Sequence, residues 1–306
     1  NWTLYGPSSA TVPAELSFYG GNSEKYITAG RITALAIAPS CSTSNCRVWV
    51  AAAGGGVWRT DNALSGSGPS WKFVSGSFTT NAIGTLTYAN GALYAGTGEP
   101  NASGDSEAGM GIYKSTDGGT NWTHLASKVT ALTSSSCAAS NASGACTLLQ
   151  DNGTYTGDAF ANRSISSIVV DPANPSILYV GSARGVRGIS SVSGGAVSVP
   201  PAPRPPYGLF KSTDGGATFS FIWDGNVSLR GINHVEIDPS NSAVVYAAAF
   251  QQGIWRSADA GASWARIKTP LNVAVNNDRA EFAVAKLPDG KTRMYAGIGN
   301  TGSPAA

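Results

Sequence analysis

The sequence predicts an all-β fold: a β-propeller of four-stranded antiparallel blades, about five of them represented and the last incomplete. Three observations carry this expectation. A short unit with the pattern Ser-x-Asp-x-Gly-x-x-Trp/Phe recurs along the chain. Short segments with period-two alternation, bounded by Gly, Pro, Asn and Asp, recur between the copies, a strand ending in a turn about twenty residues before three of them and a second strand after it. No stretch shows a capped 3.6-residue period, so helices are not expected.

The recurring unit reads GIYKSTDGGTNW at Gly111–Trp122, GLFKSTDGGATF at Gly208–Phe219 and GIWRSADAGASW at Gly253–Trp264. Its fixed positions are Ser115, Asp117, Gly119 and Trp122; Ser212, Asp214, Gly216 and Phe219; Ser257, Asp259, Gly261 and Trp264. A worn copy, GVWRTDN, occupies Gly56–Asn62, with Trp71 following a Gly/Ser-rich insertion. Upstream lie alternating strands that end in turns, at Ile32–Ser40, Ile165–Pro175 and Ile232–Asn241. Second strands start at Val48, Leu93, Ile177, Val244 and Met294. Four strands per repeat at roughly 45 residues means a propeller. The expected blades are 31–76, 81–127, 162–225, 230–268 and a partial blade at 279–306, with 1–30 as a lead-in in which Trp2–Tyr5 would close a last blade. Two insertions, Lys128–Ala161 and Ala183–Tyr207, stretch the spacing between the second and third boxes. The fifth unit shows only its first two strands, which points to further blades or a second chain completing the ring.

These boxes resemble the Asp-box (BNR-repeat) propellers of sialidases, sortilin-type receptors and xyloglucanases. Ala95–Gly119 is most similar to secreted bacterial Asp-box proteins. The resemblance covers nearly the whole chain and implies a fold more than a chemistry. In each box the carboxylate is expected to accept backbone N–H bonds inside a tight turn, with the aromatic packed beneath it. A ligand or metal at every box is the lesser reading, and neither metal nor cofactor is expected.

Composition narrows the function. Charged residues make up 12% of the 306, about half the roughly 25% usual for soluble domains, while Gly alone numbers 38. A net charge of +2 gives no electrostatic footprint for nucleic acid. No apolar run is long enough for a membrane-spanning helix. The four cysteines fall into two local pairs, Cys41/Cys46 and Cys137/Cys146, with no His nearby. Disulfides in an oxidising compartment are expected rather than zinc, and the chain reads as secreted or at the cell surface.

Alternating strand direction places the starts of inner strands, the second-to-third strand loops and the inter-blade links on one face. Both insertions fall there, as does the loop Gly98–Met110 with Glu99, Asp105 and Glu107. That face is where binding is expected. Arg163, Arg230 and Arg279 each stand nine residues before the Pro ending an inner strand; Asn81 matches them in the second blade, and Arg31 is one residue out of register. If inner strands line a central channel, these side chains converge on its mouth, as a grip for a carboxylate or phosphate. The competing reading is that each arginine bonds local carbonyls or a neighbouring blade.

The resemblance to sialidases extends to Arg31-Ile-Thr-Ala-Leu35, similar to their Arg-Ile-Pro start with Thr33 in place of Pro, but no Tyr/Glu pair or acid is identifiable by spacing. Against xyloglucanases, aligning Gly55-Gly56-Val57-Trp58-Arg59 puts Ala53 where their first-blade catalytic Asp belongs. The two histidines, His124 and His234, sit on strands and read as structural. The expected function is extracellular recognition or scaffolding of glycan or protein on the loop-rich face. The alternative is a sialidase-like or other glycoside hydrolase using an Arg-lined pocket.

Overall fold

The computed structural model describes residues 31–101, 106–130, 132–133, 154–155, 157–185, 205–226, 228–267 and 277–300, all in strands, turns and loops. Trp2–Tyr5, Asp105, Cys137 and Cys146 lie outside the described residues.

The first sheet has the order β1 (Ile32–Ile37), β2 (Val48–Ala52), β3 (Gly56–Thr60), β4 (Lys72–Phe73). The second repeats it with β5 (Ile83–Ala89), β6 (Ala92–Thr97), β7 (Ile112–Ser115) and β8 (Thr123–His124). Then come β9 (Lys128–Val129) and the hairpin of β10 (Leu132–Thr133) and β11 (Thr154–Tyr155). The third sheet is β12 (Ser164–Val170), β13 (Leu178–Ala183), β14 (Leu209–Ser212) and β15 (Thr218–Trp223), and β9 adds a fifth, parallel strand beside β15. The fourth is β16 (Ile232–Asp238), β17 (Asn241–Ala249), β18 (Gly253–Ser257) and β19 (Ala265–Arg266); the fifth is the pair β20 (Asn277–Lys286) and β21 (Thr292–Asn300). Consecutive meanders packed face to face around shared inner strands make a β-propeller. Lys128–Ala161 is thus more than a link: its first residues extend the third sheet, since Thr130 N donates to Phe219 O and Lys128 N to Ala217 O.

Between successive sheets lie separate apolar layers. Trp49, Ala51 and Val57 of the first sheet meet Leu86, Ala95 and Tyr113 of the second. Tyr94 and Ile112 meet Ile168, Val180 and Phe210. Tyr179, Leu209 and Trp223 meet Val235, Ala247 and Ile232, and Val244 and Tyr246 meet Ala280 and Phe282. Each strand must therefore be apolar on both faces, which is why the alternation in the sequence is weak in β6 and β13, buried throughout.

Three Ser-x-Asp turns share one hydrogen-bond pattern. Ser115 Oγ donates to Asp117 Oδ1 at 2.8 Å and accepts from Gly119 N at 2.7 Å, while Asn121 N reaches Asp117 Oδ1 at 2.9 Å. The same set recurs at Ser212, Asp214, Gly216 and Thr218 and at Ser257, Asp259, Gly261 and Ser263. A Cβ at Gly119 would lie 3.4 Å from Trp122, so the aromatic does sit under the turn. In the worn copy Thr60 and Asn62 take the Ser and Asp places, Thr60 Oγ1 meeting Asn62 Oδ1 at 2.8 Å, which frees Asp61 to pair with Arg47 and Arg59. Cys41 and Cys46 form a disulfide.

Candidate functional site

The first strands of all five sheets surround a central cavity of roughly 660 Å3. Its walls are β1, β5, β12, β16 and β20, and its mouth carries Arg31, Pro100, Asn101 and Arg279. Inner-strand starts and the loop after β6 meet at this mouth. Arg31 Nη2 is 2.8 Å from Glu99 Oε1, and Arg279 Nη2 donates to Asn101 Oδ1 at 2.8 Å with its guanidinium 5.4 Å above the Phe250 ring. Glu107 braces the loop: its N–H donates to Glu99 Oε2 at 3.3 Å and its carbonyl accepts from Glu99 N and the Ser164 hydroxyl. Burial pushes the Glu99 carboxyl above its ordinary range, against the pull of Arg31.

The arginines divide differently from the register counted back from proline. Arg31 immediately precedes Ile32, and Arg279 immediately precedes Ala280; both line the cavity. Arg163 and Arg230 stand two residues before Ile165 and Ile232 and are not among its lining residues. The Ile83, Ile232 and Ala280 carbonyls each accept from the bulge residue of the preceding blade, which fixes this register. A shift of one residue turns a strand side chain to the opposite side. Arg163 is wholly buried, giving Nε and Nη2 to Pro205 O at 2.7 and 2.5 Å and stacking 4.9 Å over Tyr207. It follows the local-carbonyl reading. Arg230 is half-buried, and its carbonyl accepts from Arg184 N. Asn81 is exposed and lends its carbonyl to Gly56 N.

One group in the cavity was read only as structural in the sequence. On β16, His234 and Glu236 share a face, and Glu281 approaches from β20. His234 Nε2 lies 3.2 Å from Glu236 Oε1 and Nδ1 lies 3.3 Å from Glu281 Oε2. Both contacts are hydrogen bonds only when each nitrogen carries a proton or a carboxyl does. Glu236 Oε2 also accepts from Val284 N, while Glu281 is half-exposed to the cavity. The signal was the His-x-Glu alternation in an inner strand, where one face must look across the channel. Among the described residues, no group of His, Cys, Asp and Glu has the arrangement of a metal site.

The box aspartates lie outside this cavity. Hydrogen bonds from Asn121 and Ser115 hold Asp117 at about 2, and bonds from Ser263 and Ser257 do the same for Asp259. Asp214 reaches about 2 although slight burial works the other way, through Thr218 and Ser212.

No family model matches the chain. A curated xyloglucanase from Paenibacillus sp. is 37% identical over 98 residues, 30% of this chain and 9% of that protein. Among solved structures, an ancestral GH74 enzyme aligns with a TM-score of 0.49 at 16% identity, covering 88% of this chain and 30% of that one. The GH74 enzyme of Niastella koreensis aligns at 0.46 and 20% identity over 88% and 36% of the two chains. The GH74 xyloglucanase from Xanthomonas campestris aligns at 0.44 and 17% identity over 77% and 30%. The chain thus spans 9% of the length of the curated relative and 30–36% of these structural neighbours.

Proposed function

We propose that the chain is an extracellular Asp-box propeller that recognises a glycan at the mouth of its central cavity. The observation that carries this reading is the mouth itself: two ion or amide pairs, Arg31–Glu99 and Arg279–Asn101, held over a cavity of roughly 660 Å3 walled by five inner strands. That volume lies in the range of small-molecule sites. Planar side chains already paired to one another present alternating donors and acceptors, which suit the hydroxyl arrays of a neutral sugar. A free anion would have to displace Glu99 from Arg31, so an acidic sugar fits less well. The segment shared with a protein named xyloglucanase supports a glycan ligand, and the Cys41–Cys46 bridge supports an oxidising compartment.

Hydrolysis is the second reading. It is favoured by Glu236 and Glu281 on either side of His234 in the cavity wall, since glycoside cleavage uses two carboxylates. Calorimetric titration with xyloglucan oligosaccharides and with sialyllactose, alongside a reducing-end assay, tests both. Binding lost in Arg279→Ala and Arg31→Ala supports the proposal. Binding of neither glycan, or binding unchanged in both variants, overturns it. Turnover that disappears in Glu281→Gln while affinity stays would make the protein a hydrolase.

A further inference from the structure

On the face that each sheet turns toward the next blade, the cross-strand partners repeat. An aromatic on the second strand is followed by a cation on the third and a small uncharged residue on the fourth. These are Tyr94, Lys114 and Thr123 in the second sheet, Tyr179, Lys211 and Ser220 in the third, and Tyr246, Arg256 and Ala265 in the fourth. Two of the cations are used within the fold. Lys114 Nζ lies 5.2 Å over the Tyr94 ring, and Lys211 Nζ lies 5.3 Å over Tyr179 and donates to Ala260 O at 3.0 Å. The matching row of the first sheet is Trp49, Arg59 and Lys72. A second cation stands there in the place of Thr123, Ser220 and Ala265.

The joint beside this row is also less filled. Two residues after the fourth-strand position, Leu125 and Ile222 pack on a glycine of the next box: a Cβ at Gly216 or Gly261 would lie 3.1 or 2.6 Å from them. In the first sheet that residue is Val74, one carbon smaller, and it lies 3.6 Å from a Cβ at Gly119. The outer end of the joint is left as a cleft of roughly 520 Å3, lined by Arg59, Lys72, Ser77, Thr120, Asn121 and Trp122. No residue of this cleft lines the central cavity. Its walls come from the first sheet and the second box, both internal to the chain.

The cleft has cationic donors to spare. Arg59 Nη1 donates to Gly118 O at 3.0 Å and to Thr120 Oγ1 at 3.2 Å, and Nη2 lies 3.3 Å from Asp61 Oδ2. Arg59 Nε is buried without a hydrogen-bond partner among the described residues, which is rare for a native donor. Arg47 pairs with the same Asp61. Lys72 is exposed and makes no hydrogen bond or ion pair among the described residues, its charge reaching Asp61 only from a distance. The carboxylate of Asp117, in the adjoining box turn, is already taken up by Ser115, Thr120 and Asn121.

We propose that this cleft binds an acidic sugar residue, with the carboxylate at Lys72 and Arg59 and the ring against Trp122. Trp122 is half-buried and fixed by Nε1 donating to Val74 O at 2.8 Å, so a rigid aromatic plate lines the cleft. Ser77, Thr120 and Asn121 supply neutral partners for sugar hydroxyls, and the paired cations select for the acid. The central mouth differs, since Glu99 already occupies Arg31 there. The cleft stands whether or not that mouth takes a neutral glycan.

Calorimetric titration of the full chain with trigalacturonate, with sodium sulfate as an anion that has no ring, tests this. Trigalacturonate is expected to bind more tightly than sulfate, to weaken as salt is raised, and to shift the Trp122 indole proton in NMR spectra. Lys72→Thr should weaken it about tenfold, the loss of one charge-assisted contact. Val74→Leu, which fills the cleft and leaves the charge alone, should weaken it at least as much. Circular dichroism checks that both variants fold; Lys72→Gln and Val74→Ile serve if either does not. The proposal is overturned by no binding of trigalacturonate, by affinity unchanged in either variant, or by sulfate bound as tightly. A shift at His234 without one at Trp122 would place the acid in the central cavity and overturn it too.

Discussion

The Ser166 hydroxyl, on the inner strand of the third sheet, donates to the main-chain carbonyl of Ile232 on the inner strand of the fourth at 2.6 Å. Ser166 is the extra residue of a bulge between Ile165 and Ser167. The same bulge holds Thr33 in the first sheet and Asn233 in the fourth, whose side chains donate to Ile83 O, at 2.8 Å, and to Ala280 O. In the second sheet it holds Gly84, where a Cβ would lie 2.1 Å from Ile165 O. At the bulge, neighbouring blades are thus stapled near the channel by a side-chain hydrogen bond or by direct backbone approach, beside further inter-blade bonds such as Thr87 Oγ1 to Ile168 O and Ser167 Oγ with Val235. Ser166→Ala should cost about 1 kcal/mol, because the Ile232 carbonyl loses a buried donor. Gly84→Ser should cost about 3 kcal/mol or more, since inner strands must part to admit the side chain. Urea denaturation of the two variants gives the comparison; a larger loss in Ser166→Ala than in Gly84→Ser would contradict the staple.

The box motif made the propeller legible because its turn is local: Ser, Asp and Gly satisfy one another within five residues. The staple positions were not legible. Thr33, Gly84, Ser166 and Asn233 share no residue type, only smallness or a donor that reaches a neighbouring strand. The candidate site was half legible for the same reason. Counting back from proline grouped Arg279 with Arg163 and Arg230, yet inter-blade hydrogen bonds group it with Arg31. Register across blades is set by contacts distant in sequence. Asn101 and His234 were unremarkable until the fold brought Arg279 and Glu281 to them.

The box carboxylates predict an acid limit. Asp117, Asp214 and Asp259 titrate at about 2, below the ordinary aspartate range, because chain donors favour the charged form. Folded values lying below unfolded ones mean a contribution that is present above about pH 4 and lost as pH falls toward 2. Thermal midpoints should drop across that window, and Asp214→Asn should flatten the slope. Glu99 works oppositely: burial raises it, so its part of the stability is present at low pH and declines as pH rises through the raised value. Glu99→Gln should remove that decline. An unchanged pH profile in Asp214→Asn would refute the turn assignment.

Ala260 adopts φ of 57° where the other two boxes have Gly118 and Gly215 at 74° and 76°. A left-handed conformation costs an alanine about 1 kcal/mol that glycine avoids, partly offset by glycine's greater freedom when unfolded. Ala260→Gly should therefore stabilise the fourth sheet by about 0.5 kcal/mol. Scanning calorimetry should show a small rise in Tm; a fall would mean that Ala260 packs favourably enough to outweigh its backbone strain.

Reducing the Cys41–Cys46 bridge should cost little. The two cysteines are separated by 5 positions, so the bridge closes a very short loop, and chain-entropy arguments assign it about 2 kcal/mol. The loop's ends are also held by Cys41 N to Ala38 O and Cys46 N to Asp61 O. A Cys41→Ser/Cys46→Ser double variant should fold, with a modestly lowered urea midpoint. Failure to fold would show that the bridge organises β2 and not only the turn before it.

Arg163 and Arg279 offer the sharpest separation of scaffold from site. Arg163 is wholly buried and gives two donors to one carbonyl, that of Pro205, beneath the Tyr207 ring. Arg163→Ala strands that carbonyl and opens a void in the third sheet's loop, a loss of about 3 kcal/mol. Arg163→Lys should recover only part of it, because an ammonium cannot reproduce the planar fork. Arg279 is half-buried at the mouth, bonded to Asn101, so Arg279→Ala should change stability by less than about 1 kcal/mol. On the proposed glycan reading its effect falls on ligand affinity. Measured together by urea denaturation and by titration with xyloglucan oligosaccharides, the two variants should fail in different assays. If Arg279→Ala unfolds the protein while Arg163→Ala abolishes binding without loss of stability, the division of the four arginines drawn from cavity and register is wrong.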